Sequence, residues 1–289
     1  MPARRSFLAA GGGLLGLGTI AGCSPLGTIN ALVPGDTHER IADRRYGDDE
    51  RQRLDLYRPL GRAPAGGWPA VLFFYGGSWN SGARADYRFV GEALASRGIV
   101  CGVADYRLYP QVAYPDFLRD CANAAAWIST GAVHLGLDAR RLYLMGHSAG
   151  AYNAAMLALD ARWLEGAGLA PARFAGWIGL AGPYDFVPIG NRAVRPVFHH
   201  PDVPRESQPI VHADRRAIRS FLGVAETDSF VDPQRNSARL AEHLERAGTE
   251  VTLRWYPRAN HMTLAGAFAR PLHWVAPVLD DVEAFVKQA

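Results

Sequence analysis

Apolar residues in this chain gather into short unbroken runs separated by longer stretches of mixed polarity. PAVLFFYGG (69–77), GIVCGVADYR (98–107), RLYLMG (141–146), FAGWIGLAG (174–182), AIRSFLGV (217–224) and EVTLRWYP (250–257) are such runs, several closing on glycine. They lack the apolar–polar alternation of a half-exposed strand, so they predict strands buried on both faces, as in a parallel sheet. Leu54, Leu56 and Tyr57 in QRLDLYRP (52–59) predict an edge strand. Between the runs, residues 84–97, 114–130, 149–160, 234–247 and 274–288 carry helical patterning. Strand and helix alternate almost throughout. The fold class this predicts is α/β: a doubly wound, mostly parallel sheet with helices on both faces.

Two regions fall outside that rhythm. Residues 183–212 are rich in proline, basic and aromatic in places, and without a period. A loop of that length in a compact domain points to a lid. The N-terminus is the other. Arg4-Arg5-Ser6-Phe7-Leu8 looks like a twin-arginine export signal and leads into a short Gly-rich apolar run. Ile20-Ala21-Gly22-Cys23 resembles a bacterial lipobox, which makes Cys23 the expected lipidation site and new N-terminus. The run is too short for a confident membrane span. The expected organisation is a signal peptide at 1–22, a tether at 23–45 and one domain at 46–289. The expected location is a membrane-anchored lipoprotein facing the periplasm. Ser24 stands where a retention signal would show Asp, which favours the outer membrane.

Composition narrows the classes. The chain has 289 residues, enough for one large domain, with 48% apolar and 20% charged residues. Its net charge is +3. No basic stripe is interleaved with aromatics, so nucleic acid is not an expected partner. Apart from Cys23, the cysteines are Cys101, in a strand-like run, and Cys121, in a helical one. Nothing in the sequence brings them together, so two separate buried thiols are expected rather than a disulfide. No spacing resembles a zinc or haem site, and no cofactor is expected.

Gly146-His147-Ser148-Ala149-Gly150 matches G-x-S-x-G between the apolar RLYLM and the helical AYNAAMLAL. A strand-to-helix turn tight enough to expose a serine needs small neighbours. It also sets Ser148 at a helix N-terminus, where partial positive charge favours an anion. The bland reading is a capping serine among packing glycines. FFYGGSWNSG (73–82) ends an earlier strand in two glycines, and backbone amides there can approach a carbonyl oxygen. The expected oxyanion donors are the N–H groups of Gly77, Ser78 and Ala149.

With these residues in place, the chain resembles the esterase/lipase group of α/β-hydrolases. It is most similar to members with an H-G-G-x-W oxyanion motif, which include carboxylesterases, feruloyl and acetylxylan esterases, and arylformamidases. Tyr75-Gly76-Gly77-Ser78-Trp79 departs from that motif only at Tyr75, which stands where the family has histidine. That histidine supports the loop, so the departure bears on loop geometry more than on mechanism. The resemblance extends from about Tyr46 to the C-terminus.

The resemblance implies an order Ser…acid…His along the chain. His261, after the last strand-like run, is the expected base; His147 lies inside the elbow, and His199 and His200 in the lid. Three acids compete in ETDSFVDP (226–233). Asp232 precedes Pro233 and a helical pattern, which reads as a helix cap. Counting from the strand favours Glu226. Counting back from the helix favours Asp228, through the similarity of Asp228-Ser229-Phe230-Val231 to the family's D-x-x-V. Asp228 is the expected partner of His261, with Glu226 and Asp185 (in GPYDF) as competitors. Trp79 and Tyr152 are expected beside the substrate. The implied activity is serine-dependent hydrolysis of small carboxylic esters through an acyl-enzyme. Formamide hydrolysis, and a lipid-anchored binding protein without activity, are the alternatives.

Overall fold

The computed structural model describes residues 25–288. The signal segment and Cys23 lie outside the described residues. Eight strands form one sheet: β1 (His38–Arg45), β2 (Arg53–Pro59), β3 (Trp68–Phe74), β4 (Val100–Ala104), β5 (Leu137–His147), β6 (Gly176–Leu180), β7 (Ser220–Ala225) and β8 (Val251–Tyr256). Their order is β1-β2-β4-β3-β5-β6-β7-β8. The β1–β2 and β2–β4 pairs are antiparallel and all others parallel. This is the predicted doubly wound α/β sheet, and its architecture is that of the α/β-hydrolase fold. The α-helices are α1 (Pro25–Ala31), α2 (Arg88–Ser96), α3 (Asp116–Thr130), α4 (Ala149–Leu159), α5 (Ala161–Gly166), α6 (Arg239–Arg246), α7 (His261–Gly266) and α8 (Val278–Lys287). The continuous apolar runs are the reason for the layering. Val71, Leu72, Phe73 and Phe74 of β3 and Leu144 and Met145 of β5 are all buried, so both faces of the sheet need helical cover. No helix among the described residues is long and apolar enough to cross a membrane.

The N-terminal region differs from its expectation. Residues 23–45 read as a tether, yet α1 and β1 fall within them, so the domain does not start at Tyr46. It follows that β2, read as an edge strand, lies between β1 and β4. β1 (HERIADRR) is almost wholly exposed, so no apolar pattern announces it. Backbone pairing and charge hold it instead. Asp55 of β2 is fully buried and accepts from Arg40 Nη2 (2.7 Å), the Asp43 amide (2.8 Å) and Arg84 Nε (3.1 Å). Burial pushes its carboxyl pKa up, but these donors outweigh that and leave it below the ordinary value. α1 is held by Asn30 Nδ2, which donates to the Asp86 carbonyl at 2.7 Å.

The centre of the sheet has no slack where β5 turns into α4. A Cβ on Gly146 would lie 2.1 Å from the Gly150 carbonyl carbon, and one on Gly150 would lie 1.9 Å from the Phe74 oxygen. Both obstacles are backbone, so no rotamer relieves them. Gly150→Ala is therefore expected to lower the unfolding free energy by about 3 kcal/mol, the upper range for overpacking a tight interior. Urea unfolding measures this, and an unchanged midpoint would mean the turn can open.

Candidate active site

Ser148 sits on the turn between β5 and α4 with φ 55° and ψ −122°, a left-handed conformation for a residue with a side chain. Holding it there costs on the order of 1–3 kcal/mol. The neighbours over-determine it: the Ser148 amide donates to the Leu180 carbonyl (2.9 Å), and the Tyr152 amide donates to the Ser148 carbonyl (3.1 Å). The side chain is thereby presented at the N-terminus of α4.

His261 lies 2.8 Å from Ser148 Oγ through Nε2 and 2.7 Å from Asp228 Oδ2 through Nδ1. With Asp228 ionised, Nδ1–H donates to the carboxylate and Nε2 accepts the serine proton. The sequence around each partner fixes it. Asn260 caps α7 by accepting from the Met262 and Thr263 amides, while the Asn260 amide donates to Thr263 Oγ1 at 2.9 Å. His261 is thus the first residue of a capped helix rather than part of an open loop. Asp228 Oδ1 accepts from the Phe230 and Val231 amides at 2.8 and 2.9 Å, an Asx-type turn. Thr227 ties this loop to the histidine's, its hydroxyl donating to the Ala259 carbonyl at 3.0 Å. Burial pushes the Asp228 carboxyl up in pKa. The hydrogen bond and charge of His261, helped by the two amides, outweigh it and hold Asp228 below the ordinary value.

The competing acids are placed elsewhere. Glu226 is exposed. Asp185 is held by Arg235 (3.1 Å) and Arg239 (2.9 Å). Asp232 Oδ1 accepts from the Gln234 and Arg235 amides at 2.9 and 3.0 Å, the geometry of a helix cap. His199 is engaged elsewhere, its Nε2–H donating to the Tyr114 carbonyl (2.6 Å).

Beside Ser148, Gly77, Ser78 and Trp79 have φ of 128°, 54° and 57°. Among the described residues, the amides of Gly77, Ser78 and Ala149 donate to no protein acceptor. Ser78 and Ala149 line one cavity with Ser148, and N–H groups of these two turns can stabilise negative charge on an oxygen set between them. Tyr75 supports this loop from beneath. Its ring stacks between Tyr87 (5.6 Å) and Tyr106 (5.0 Å). Its hydroxyl donates to Asp105 Oδ1 (2.9 Å) and accepts from Arg51 Nη2 (2.7 Å), and Arg51 also donates to the Gly82 carbonyl (2.8 Å). Arg51 is a member of this arrangement that the sequence did not announce.

Over Ser148 lies a cavity of about 160 Å³. Trp79 lines it, with Phe186, Ile189 and Val194 of the predicted lid and with Phe230 and Val231 beside His261. Tyr152, expected beside the substrate, does not line it. Tyr152 is 0% exposed, packs edge-on against Trp79 (5.0 Å) and donates its hydroxyl to the Ser207 carbonyl (2.7 Å). It holds the lid segment and the inner face of Trp79, and its place one turn into α4 points it inward. Phe198 and Phe186 pack on the same pair. Segment 183–212 is thus fastened by an aromatic cluster that no sequence period records. A larger groove of about 1090 Å³ runs between α5 and residues 206–218, lined by Asp160, Glu206 and His212 among others. No serine or cysteine lines it. Cys101 and Cys121 are separate buried thiols, and no group of three metal-ligating side chains occurs among the described residues.

The BD-FAE family model matches residues 54–244. That span includes Ser148 and Asp228 and ends before His261. The probable isoprenylcysteine alpha-carbonyl methylesterase ICMEL1 of Arabidopsis thaliana is 28% identical over 241 residues, 76% of this chain and 50% of its own length. Esterase LipC of Mycobacterium tuberculosis is 30% identical over 272 residues, covering 85% of this chain and 66% of LipC. The chain spans about half the length of the first curated relatives it matches. A truncated carbohydrate esterase from gut microbiota superposes with a TM-score of 0.76 at 19% identity, covering 88% of this chain and 98% of the other, a likeness of fold.

His147 gives a test of the site's interior. Its Nε2–H donates to the His261 carbonyl at 2.8 Å, and its ring lies 5.0 Å from that of His261. Burial, then the charge of His261, pushes its pKa down to about 3. Below pH 6.5 the unfolded chain takes up a proton that the folded protein refuses. Stability is therefore complete above 6.5 and is lost as pH falls towards 3, at no more than about 1.4 kcal/mol per pH unit. Urea unfolding between pH 7 and 4.5 is expected to show a smaller acid loss in His147→Gln than in the wild type. Equal losses would mean His147 is not held neutral.

Proposed function

The chain belongs to the BD-FAE family, and on that premise we propose that it is a serine-dependent carboxylic ester hydrolase. The observation that carries the reading is the chain of two hydrogen bonds, 2.8 Å from Ser148 to His261 and 2.7 Å from His261 to Asp228, beside three unused amides. Ser148 Oγ attacks the acyl carbonyl while His261 Nε2 takes its proton, and Asp228 holds the tautomer and balances the imidazolium. The carbonyl oxygen becomes an anion that the Gly77, Ser78 and Ala149 amides accommodate. Collapse breaks the C–O bond as His261 returns the proton to the departing alcohol. Water, activated by the same histidine, then cleaves the acyl-serine. A cavity of about 160 Å³ favours a short acyl group.

Wild type is expected to hydrolyse p-nitrophenyl acetate. Ser148→Ala and Asp228→Asn are each expected to lower kcat by about 10⁴, whereas Glu226→Gln retains the wild-type rate. A fluorophosphonate should label Ser148, located by mass spectrometry. Turnover in Asp228→Asn equal to wild type would move the acid's role elsewhere. Inertness of wild type toward a broad panel of esters and amides would remove the enzyme reading. Comparing N-formylkynurenine with acetylated sugars separates formamide from ester hydrolysis, since the geometry of an acyl-enzyme serves both.

The same proposal includes a lipid anchor on Cys23. The described structure starts at Pro25, so a single residue, Ser24, and at most about 7 Å would separate the anchor from α1. Wild type is expected in the membrane fraction and Cys23→Ser in the soluble fraction. Wild type found soluble after processing would overturn this.

A further inference from the structure

Resting on that reading, we infer that Phe230 is the leaving-group platform of the site and that it selects esters of aromatic alcohols. The argument starts from proton transfer. The departing oxygen must receive its proton from His261 Nε2, so the alcohol portion lies on the side of His261. The acyl portion lies on the other side, toward Trp79, Phe186 and Ile189. What borders His261 therefore meets the alcohol.

That border is apolar and open. The Phe230 ring lies 5.3 Å from the His261 ring at 38°, and it is 76% exposed. Met262, next in the chain to His261, is 52% exposed. An isolated exposed apolar residue needs no explanation, but Phe230 and its neighbour Val231 both line the cavity over Ser148, which marks a binding surface. Phe230 is also held in place. Its amide donates to Asp228 Oδ1 at 2.8 Å, so the turn that orients the acid also fixes the ring beside the histidine. A flat apolar alcohol can stack there, with ring centroids about 4.5–7 Å apart. Ser78 and Asn191 are the polar side chains of the cavity besides Ser148 and His261, and next to His261 in the lining stand the apolar Phe230 and Val231.

The test compares phenyl acetate with ethyl acetate, which share an acyl group, in wild type, Phe230→Ala and Phe230→Tyr. The phenyl-to-ethyl ratio of kcat/KM is expected to fall about tenfold in Phe230→Ala, mainly through KM, the scale of one aromatic contact. Phe230→Tyr keeps the ratio within about twofold, because the ring face is retained. A ratio unchanged in Phe230→Ala overturns the inference, whether both rates hold or both fall. A joint fall would mean that Phe230 acts only through the Asp228 turn. A wild-type preference for acetylated sugars over phenyl acetate overturns it too. So does a rate on p-nitrophenyl laurate that rises only above its critical micelle concentration and loses that rise in Phe230→Ala, since the rim would then dock a lipid surface. Binding without turnover separates this inference from the hydrolase reading. 4-Ethylphenol should quench tryptophan emission of Ser148→Ala saturably, and at least about tenfold more weakly in the Ser148→Ala/Phe230→Ala double variant. Absence of saturable binding to Ser148→Ala overturns the platform even if esters are hydrolysed. Saturable binding with an ester-inert wild type removes the hydrolase reading alone.

Discussion

The crossing of α4 over the ends of β3 and β5 leaves no space for a side chain at Gly146 or Gly150, and the geometry of the site follows from that contact. Because the helix starts so close to the sheet, the chain must reverse within one residue, and Ser148 takes the positive φ. Ser148 and Ala149 then line the same cavity. The strand under the helix, β3, continues directly into Gly76 and Gly77. A Cβ on Gly76 would stand 2.9 Å from that of Ser148, so the oxyanion loop and the serine are packed against each other through glycine. Strain at one residue is affordable because fully buried sheet and helix backbone surround it.

The histidine and the acid reach this point by a different device, local capping. His261 is held by Asn260 and Thr263 around the first turn of α7, and Asp228 by the amides two and three residues ahead of it. Both are short-range arrangements with sequence signatures, so the acid could be separated from its neighbours by reasoning about turns. Asp232 serves the next helix through the same kind of contact. Two aspartates four residues apart make near-identical amide bonds, and they differ in what the remaining carboxylate oxygen meets. For Asp228 it meets His261; Glu226, with no such turn, stays exposed.

How much of this was legible follows from how each part is held. The buried strands and the elbow were readable because apolar runs and glycines record burial and crowding directly. β1 was not, because Arg40, Asp43, Asp55 and Arg84 hold it through charge, and a polar exposed strand resembles a linker in sequence. Tyr152 was misplaced for a related reason. Its position in the chain puts it near Ser148, but only the three-dimensional packing of Trp79, Phe186 and Phe198 shows that it faces inward. The walls of the cavity come from residues far apart in sequence and on irregular segments, where no period applies.

Tyr75 shows how a departure from a motif can preserve what the motif does. A histidine under the oxyanion loop would offer two ring nitrogens to neighbouring groups. Tyr75 offers one hydroxyl, which donates to Asp105 and accepts from Arg51. Arg51 supplies the remaining connection by donating to the Gly82 carbonyl at the far end of the loop. Burial pushes the Tyr75 hydroxyl well above its ordinary pKa, so it stays a neutral donor to Asp105. The larger ring is accommodated between Tyr87 and Tyr106, and the Tyr106 hydroxyl donates to the Tyr75 carbonyl at 2.8 Å. The loop is thus fixed at both ends, through Tyr75 at its start and through Arg51 at Gly82. Among the described residues, the support of this loop therefore shares no hydrogen bond with the Ser148–His261–Asp228 chain above it, and the two arrangements are held independently.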